Sequence, residues 1–492
     1  MVHGCSLRVV QTTVFLIKRI FGNIFTRGIV KFLTEYKYEG KSLLHHGLLI
    51  FSNQEKCLGF TPLIAYHIIN SLLNLGALIL GVDVNSIRRF FSDKAIIRGI
   101  ETILRSIAKY GVTIPQKLDA PFLVVWNFTN MCNLRCKHCY QKADKPLPNE
   151  LTLEEKLNVL DQLEDAGVSA IAFSGGEPLM HHDFWVVAEE AVKRGFYVSV
   201  ATNGTLITRS VARKLKSIGV KYVEVSLDSV DPEKHDSFRG VKGCWERMIE
   251  GIRNCVSEGV FTGIATTVTK QNYMEAEEIV KLAKKLNVPR VIFFNFIPVG
   301  RGVEIFDYDL NPHEREIFLK KLYDLMVKEK LEILSTAPQY ARIVLQESRG
   351  EYTSPTHFYA GPAISGLKDL ADFIGGCGAG RIYCALQPNG DVTPCVFIPQ
   401  IVLGNLRSKS FKEIWEKTPV LKLFRDKDLL KENCGKCDYR YVCGGCRARA
   451  IAYFNDILAP DPGCKNNLPF VQRLIVKKRI RPASLKKVAV KH

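Results

Sequence analysis

From Pro121 onward the chain alternates short runs of β-branched and aromatic residues with longer stretches in which apolar side chains recur every three or four positions. That alternation is the trace of strands followed by amphipathic helices. Six such units can be counted, with strands expected over 122–128, 168–173, 197–202, 222–227, 263–269 and 291–297. Helices are expected near 152–166, 184–194, 208–218, 242–258, 273–286 and 312–328, and Thr152 stands three residues before Glu155, as a capping box requires. Strands joined by helices pair in parallel. The pattern therefore predicts an α/β fold in which six βα units form an open barrel over residues 118–334.

Residues 1–117 read as a helical N-terminal extension in several pieces, with Ile96 to Tyr110 a clear amphipathic example. Leu58 to Val82 carries no charged side chain and is long enough to cross a bilayer. Its Thr61, Pro62, His67, Asn70, Ser71 and Asn74 favour a buried helical pair or an interfacial hairpin instead. The basic, apolar segment Val9 to Phe32 suits either an anionic membrane surface or packing against the body, which makes residues 1–85 a candidate for peripheral membrane contact. Residues 335–376, rich in proline and glycine, are expected to form a loop-rich bridge; 377–470 form a cysteine-rich domain and 471–492 a basic tail.

The formal net charge of +18 changes this picture little. Nine Lys/Arg and no acid fall in 465–492, and seven against Glu35 and Glu39 in 1–41, so the 423 residues between carry only +4. Basicity confined to tails is not a binding groove, and nucleic acid is not an expected partner. The chain has 15 cysteines, but the early run Val14-Phe15-Leu16-Ile17 meets Lys18-Arg19 with no small-residue cleavage site after it. A cytoplasmic location is the expectation, and cysteine spacing is then read as metal ligation.

Thr129 to Tyr140 holds Cys132, Cys136 and Cys139 in a CxxxCxxC run just after the first expected strand, at the barrel edge where α/β barrels keep their chemistry. Three thiolates can wrap one face of a 4Fe-4S cube and leave one iron without a protein ligand. A structural zinc site needs a fourth Cys or His, and His138, between two thiols in sequence, is poorly placed to close that tetrahedron. The run resembles the signature of the radical S-adenosylmethionine (SAM) superfamily. The resemblance implies a partial TIM-like barrel, a 4Fe-4S cluster on the three catalytic cysteines, and SAM as second cofactor. Ser174-Gly175-Gly176-Glu177-Pro178 is similar to the family's GGEP motif, which receives the methionyl amino group. By the same resemblance Asn203 and Ser226, at the ends of the third and fourth strands, neighbour the ribose and carboxylate, and Arg239 has the planar fork to pair with that carboxylate.

A second cysteine field holds Cys377, Cys384, Cys395, Cys434, Cys437, Cys443, Cys446 and Cys464. Eight thiols fully ligate two cubes. The field resembles the SPASM extension of radical SAM enzymes, and Cys443 to Ala450 looks most like SPASM proteins of the haem d1 and alternative haem pathways and the mycofactocin peptide maturases. By the arrangement of anaerobic sulfatase-maturating enzymes, Cys377, Cys384, Cys395 and Cys446 hold one auxiliary cluster, and Cys434, Cys437, Cys443 and Cys464 the other. Two spacings depart from that pattern, at Cys377 to Cys384 and at Cys443 to Cys446, leaving Cys384 and Cys446 the weaker ligands. A zinc ribbon on Cys434, Cys437, Cys443 and Cys446 is the rival, though it leaves Cys395 and Cys464 unexplained. Arg447 and Arg449 suit raising a nearby cluster's potential or meeting an acidic substrate. The resemblance implies an oxidoreductase that cleaves SAM reductively and takes a hydrogen atom from a peptide or tetrapyrrole, fed by an electron donor such as ferredoxin or flavodoxin. A non-catalytic iron-sulfur or zinc protein is the alternative.

Overall fold

The computed structural model describes residues 22–471 apart from 57–58, 81–82, 330, 353 and 355–370. The basic tail after 471, residues 353 and 355–370 of the bridge and the start of the Val9–Phe32 segment lie outside those residues.

The N-terminal extension contains α1 (Ile24–Glu35), a two-stranded hairpin of β1 (Lys37–Tyr38) and β2 (Lys41–Ser42), α2 (Leu43–Phe51), α3 (Phe60–Leu80), α4 (Val84–Phe90) and α5 (Lys94–Tyr110). Side-chain oxygens of Asn23, Ser42, Asp83 and Asp93 cap α1, α2, α4 and α5 in turn. Leu33, Leu44, Leu48, Phe51, Ile69 and Ile97 form its own small core. The stretch read as a helical pair or hairpin is one helix, α3. Among the described residues no helix is long and apolar enough to cross a membrane.

One sheet runs through the rest of the chain: β3 (Leu123–Thr129), β4 (Ala170–Gly175), β5 (Tyr197–Thr202), β6 (Tyr222–Ser226), β7 (Thr262–Val268), β8 (Arg290–Asn295), β9 (Glu332–Ser335), β10 (Tyr383–Leu386), β11 (Asp391–Thr393) and β12 (Gly404–Asn405). Their spatial order is β12-β11-β10-β3-β4-β5-β6-β7-β8-β9, with β10 and β3 through β9 parallel. The barrel sheet thus has a seventh strand, β9, beyond the six expected. Its four residues, paired at Val291↔Ile333, are too few to show a period.

The helices outside the barrel are α6 (Leu153–Ala166), α7 (Phe184–Lys193), α8 (Arg209–Ile218), α9 (Pro232–Arg239), α10 (Cys244–Ser257), α11 (Ala276–Lys285) and α12 (Pro312–Glu329). The capping box on α6 is present in both directions. Val124, Trp126 and Phe128 of β3 and Ile171 and Phe173 of β4 point outward into the helical layer, fully buried, while Leu123, Val125, Ala170 and Ala172 line the interior. This period-two division makes both faces apolar, as a covered parallel sheet requires.

The first part of the expected bridge is not loop. α13 (Gln339–Glu347) buries Tyr340, Ile343 and Val344, because the loop-forming residues there lie beyond it. The C-terminal part contains α14 (Ala371–Ile374), α15 (Phe411–Lys417), α16 (Leu421–Arg425), α17 (Glu432–Lys436) and α18 (Arg447–Phe454). It is welded to the barrel by β10, whose Leu386 pairs with Trp126 of β3.

Candidate active site

The strands open at their C-terminal ends onto a cavity of about 860 Å³ that reaches from Cys132, Cys136 and Cys139 down the barrel axis. Its base is closed by α5, through Ile96, Gly99 and Ile103. That helix is fastened there by polar bonds: Thr102 Oγ1 donates to the Gly167 carbonyl at 2.8 Å, Arg105 NH2 to Ala166 at 2.7 Å and Arg98 NH2 to Arg194 at 2.7 Å. Nothing in the sequence of residues 94–110 announced this role beyond an amphipathic period.

The cysteine loop leaves β3 and is held on all sides by backbone bonds. Cys132 N donates to Asp144 O at 3.0 Å, Arg135 N to Arg239 O at 3.0 Å and Lys137 N to Phe238 O at 2.9 Å. Arg301 donates to the carbonyls of Cys136 at 2.9 Å and Ala143 at 3.1 Å. His138 stacks on Phe238 with ring centroids 4.4 Å apart, and burial pushes its pKa down to about 3. It supports the loop from outside the thiol set. Cys244, which the sequence reasoning missed, packs with Cys132, Cys136 and Cys139. Its thiol is turned to Asp236 at 3.1 Å, and burial together with that carboxylate pushes it up to about 12.

The cysteine sulfurs are not gathered as a mononuclear zinc site would gather them. Among the described residues no three cysteine sulfurs lie within 4.8 Å of one another. A tetrahedral zinc, with sulfur at about 2.3 Å, would draw them to about 3.8 Å apart. The compact group of ligand-type atoms that does occur, His181, His182 and Asp183, already has a cation: Lys156 Nζ lies 2.8 Å from Asp183 and 3.2 Å from His181 Nε2.

The glycine turn lies against the cysteine loop with no room for a side chain. A Cβ on Gly175, whose φ is +117°, would stand 2.7 Å from Thr129 O, and one on Gly176 2.0 Å from Met131 O. Glu177 follows, fully buried. Its carboxylate accepts from Thr202 Oγ1 at 2.8 Å, Asn203 N at 2.8 Å and Leu179 N at 3.2 Å. Burial outweighs those bonds and raises its pKa to about 7. Asn203 Nδ2 donates to Asn133 Oδ1 at 2.8 Å, so the end of β5 is tied to the cysteine loop. Ser226 lines the cavity, half-buried, at the end of β6. Arg239 is buried with Nε 2.6 Å from Asp228 and NH1 3.8 Å from Cys136 Sγ. Burial disfavours the Asp228 charge, but Arg239, His138 and His235 hold its carboxyl below the usual range.

Behind the barrel the second cysteine field divides by location. Cys377, Cys395 and Cys446 share one apolar cluster with Tyr383, whose hydroxyl donates to Cys395 Sγ at 2.8 Å. Cys384 is the next residue along β10, so its side chain faces the opposite side of the sheet, in the barrel core with Leu386. Desolvation pushes its thiol well up. Cys434 Sγ accepts from Asn467 Nδ2 at 3.4 Å and Cys443 Sγ from Gly445 N at 3.4 Å. Cys437 lies three residues after Cys434 at the end of α17, half-buried like Cys464. The two groups touch through backbone: Cys377 N donates to Cys443 O at 3.1 Å. Arg449 is locked by Asp309 at 2.7 Å and Asp461 at 3.3 Å, while Arg447 donates to the carbonyls of Ile457 at 2.6 Å and Ala459 at 2.8 Å.

Residues 126–283 match the radical SAM superfamily, and 377–438 match the SPASM iron-sulfur cluster-binding domain. The AdoMet-dependent heme synthase of Methanosarcina barkeri is 36% identical over 351 residues, which is 70% of this chain and 97% of that one. The mycofactocin maturase MftC of Mycolicibacterium smegmatis is 30% identical, covering 74% of this chain and 87% of that one. The crystal structure of Streptococcus suis SuiB bound to S-adenosylmethionine superposes with a TM-score of 0.61 at 17% identity, over 86% of this chain and 92% of that one. The cofactors are accordingly 4Fe-4S clusters and S-adenosylmethionine, and the fold is the partial barrel of such enzymes. This chain belongs to the radical SAM superfamily, among the members that add a SPASM iron-sulfur domain to the barrel.

Proposed function

We propose that this enzyme matures a tetrapyrrole, removing a hydrogen atom from a propionate side chain of an iron porphyrin in an oxidative decarboxylation. The observation that carries the reading is the cavity. At about 860 Å³ it has the size of a cofactor site, which runs to roughly 1,000 Å³, and α5 closes its base. Its wall beside the cysteine loop includes Arg301, whose guanidinium donates to two backbone carbonyls and has no carboxylate partner among the described residues, so its charge is offered to a carboxylate. The names of relatives at 36% and 33% identity, an AdoMet-dependent heme synthase and an Fe-coproporphyrin III synthase, support the same substrate class.

In this reading Cys132, Cys136 and Cys139 hold the cluster that leaves one iron open. When bound, that cluster and SAM supply one-electron cleavage of a carbon–sulfur bond and a 5'-deoxyadenosyl radical. Gly175 and Gly176 bring bare backbone to the ligand's amino group, Glu177 holds that turn from behind through Thr202 and Asn203, Asn203 and Ser226 offer polar side chains near the ribose, and Arg239 faces its carboxylate. Apolar walls such as Val125, Ile292 and Phe294 exclude water from the reacting carbon. Cys377, Cys395 and Cys446 would hold one auxiliary cluster, and Cys434, Cys437, Cys443 and Cys464 a second. The working units are then 1–117, 118–334, 335–376, 377–470 and a basic 471–492. A cytoplasmic ferredoxin or flavodoxin supplies the reducing electron. Residues 1–85 touch an anionic membrane peripherally, through Phe25, Phe32 and Phe60, exposed at 72%, 52% and 79%.

The test is anaerobic turnover of the reconstituted, reduced protein with SAM and iron coproporphyrin. The expected result is 5'-deoxyadenosine together with a porphyrin that has lost carbon dioxide. Deoxyadenosine with an unchanged porphyrin, rising instead on addition of a peptide, would overturn the tetrapyrrole assignment.

A further inference from the structure

Lys427 lies between the two auxiliary cysteine groups. It is 2% exposed, and its Nζ is buried with no hydrogen-bond partner among the described residues. The side chain passes over Gly444, where an added Cβ would meet Lys427 Cε at 3.2 Å and Cδ at 3.3 Å. Gly444 adjoins Cys443, and Cys443 O accepts from Cys377 N at 3.1 Å, so the ammonium sits at the seam of both groups.

Two more buried cations share the seam. Arg381 and Arg447, 2% and 0% exposed, donate to backbone carbonyls of Gly376 and Ala459, among others. Neither they nor Lys427 forms an ion pair among the described residues. Elsewhere this chain gives its buried cations a carboxylate: Arg342 has Glu316, Arg315 has Asp309, and Arg449 has Asp309 and Asp461. A buried charge left without an anion is strongly disfavoured. One carboxylate reaches this seam, Asp461, which accepts from Cys446 N at 2.6 Å and is paired with Arg449. The anionic groups that face Lys427 are Cys377 and Cys443, so its anions are the thiolates and the negatively charged clusters they ligate.

We propose that Lys427 is a shared counter-ion of the two auxiliary clusters, donating hydrogen bonds to cluster sulfur and stabilising the reduced form that receives the electron left by substrate oxidation. The proposal rests on the reading of these cysteines as cluster ligands. In the step concerned, the substrate radical gives up one electron, the oxidised auxiliary cluster gains it, and oxidised ferredoxin or flavodoxin removes it. Positive charge and hydrogen bonds at the sulfurs favour the more negative, reduced cluster and so raise its potential.

The experiment is a redox titration, followed by electron paramagnetic resonance, of the full-length reconstituted protein alongside Lys427→Met and Lys427→Arg, with iron counted in each. Methionine keeps the length and flexibility of the stem without its charge. The expected result is unchanged iron in Lys427→Met with an auxiliary midpoint lowered by tenfold in the reduction equilibrium, about 59 mV, and a midpoint near wild type in Lys427→Arg. Loss of auxiliary iron in Lys427→Met but not in Lys427→Arg also supports a counter-ion. Unchanged midpoints with full iron, or equal iron loss in both variants, would overturn it. A wild-type protein that takes up only one cube overturns the ligand reading itself, and the iron count tells that failure from the first.

Discussion

At Gly176 the chain has room for a hydrogen and nothing more, since a methyl there would lie 2.0 Å from Met131 O and 2.6 Å from its carbonyl carbon. Both contacts are backbone, so neither can rotate away. Gly176→Ala should cost roughly 2–4 kcal/mol and displace the cysteine loop, read as a lower Tm of the apo-protein and weaker iron uptake on reconstitution. Cys136 makes a sharper test of chemistry. Cys136→Ala should abolish 5'-deoxyadenosine formation, measured by chromatography, whereas Cys434→Ala should retain some SAM cleavage and lose the product. Glu177 carries a pH signature. Its folded pKa of about 7 lies above the unfolded value, so the folded state holds the proton more tightly. Its contribution to stability is full in acid and declines as pH rises from about 4.5 through 7, by about 3 kcal/mol in all. Unfolding of the apo-protein by denaturant at stepped pH should show that decline, and Glu177→Gln should flatten it; equal slopes in both would refute it.

Elements were legible where a period ran long enough. The six strands and the helices around them stand where the alternation put them, because each strand buries one face against helices and the other against the barrel interior. α9 escaped because Pro232 to Arg239 has no apolar stripe, and its start is set by Asp231 Oδ1 accepting from Glu233 N and Lys234 N at 2.9 and 3.1 Å. Cys384 shows the limit at the next level: spacing groups cysteines along the chain, but the parity of a strand decides which side of the sheet a thiol reaches. The role of α5 as the barrel's base was hidden because it depends on partners far off in sequence. The exposed apolar faces of α1 and α3 belong to this scale as well. Ile24 and Phe25 on α1 and Phe60 and Leu72 on α3 are 86%, 72%, 79% and 62% exposed, with Arg27 and Lys31 also on α1. Vesicles rich in phosphatidylserine should sediment the protein, and Phe25→Asp with Phe60→Asp should lower its affinity for them about a hundredfold, because two aromatic side chains kept in water forfeit about 3 kcal/mol. Equal binding by the double variant would remove α1 and α3 from any membrane contact.

Across the whole molecule, barrel and cysteine-rich part are joined by more than the β10–β3 pairing. Asp309, after β8, accepts from Arg315 NH2 at 2.6 Å and from Arg449 NH1 at 2.7 Å, and the Tyr453 hydroxyl donates to it too. Asp461 accepts from Gln339 Nε2 at 2.7 Å, Cys446 N at 2.6 Å and Gly463 N at 2.8 Å. One buried polar network therefore spans α12 and α13 on the barrel side and α18 with the Cys446 and Cys464 loops on the other. Such networks are worth most when every member is satisfied. Asp309→Ala would leave Arg315 without its carboxylate and Arg449 with Asp461 alone, at about 3–5 kcal/mol for an uncompensated buried charge. The physical consequence is a loss of coupling between the parts. Wild type should unfold in one calorimetric transition, while Asp309→Ala should show the cysteine-rich part melting first, with auxiliary iron released before the iron held by Cys132, Cys136 and Cys139. A single transition at an unchanged Tm would mean that the sheet alone holds the two parts together.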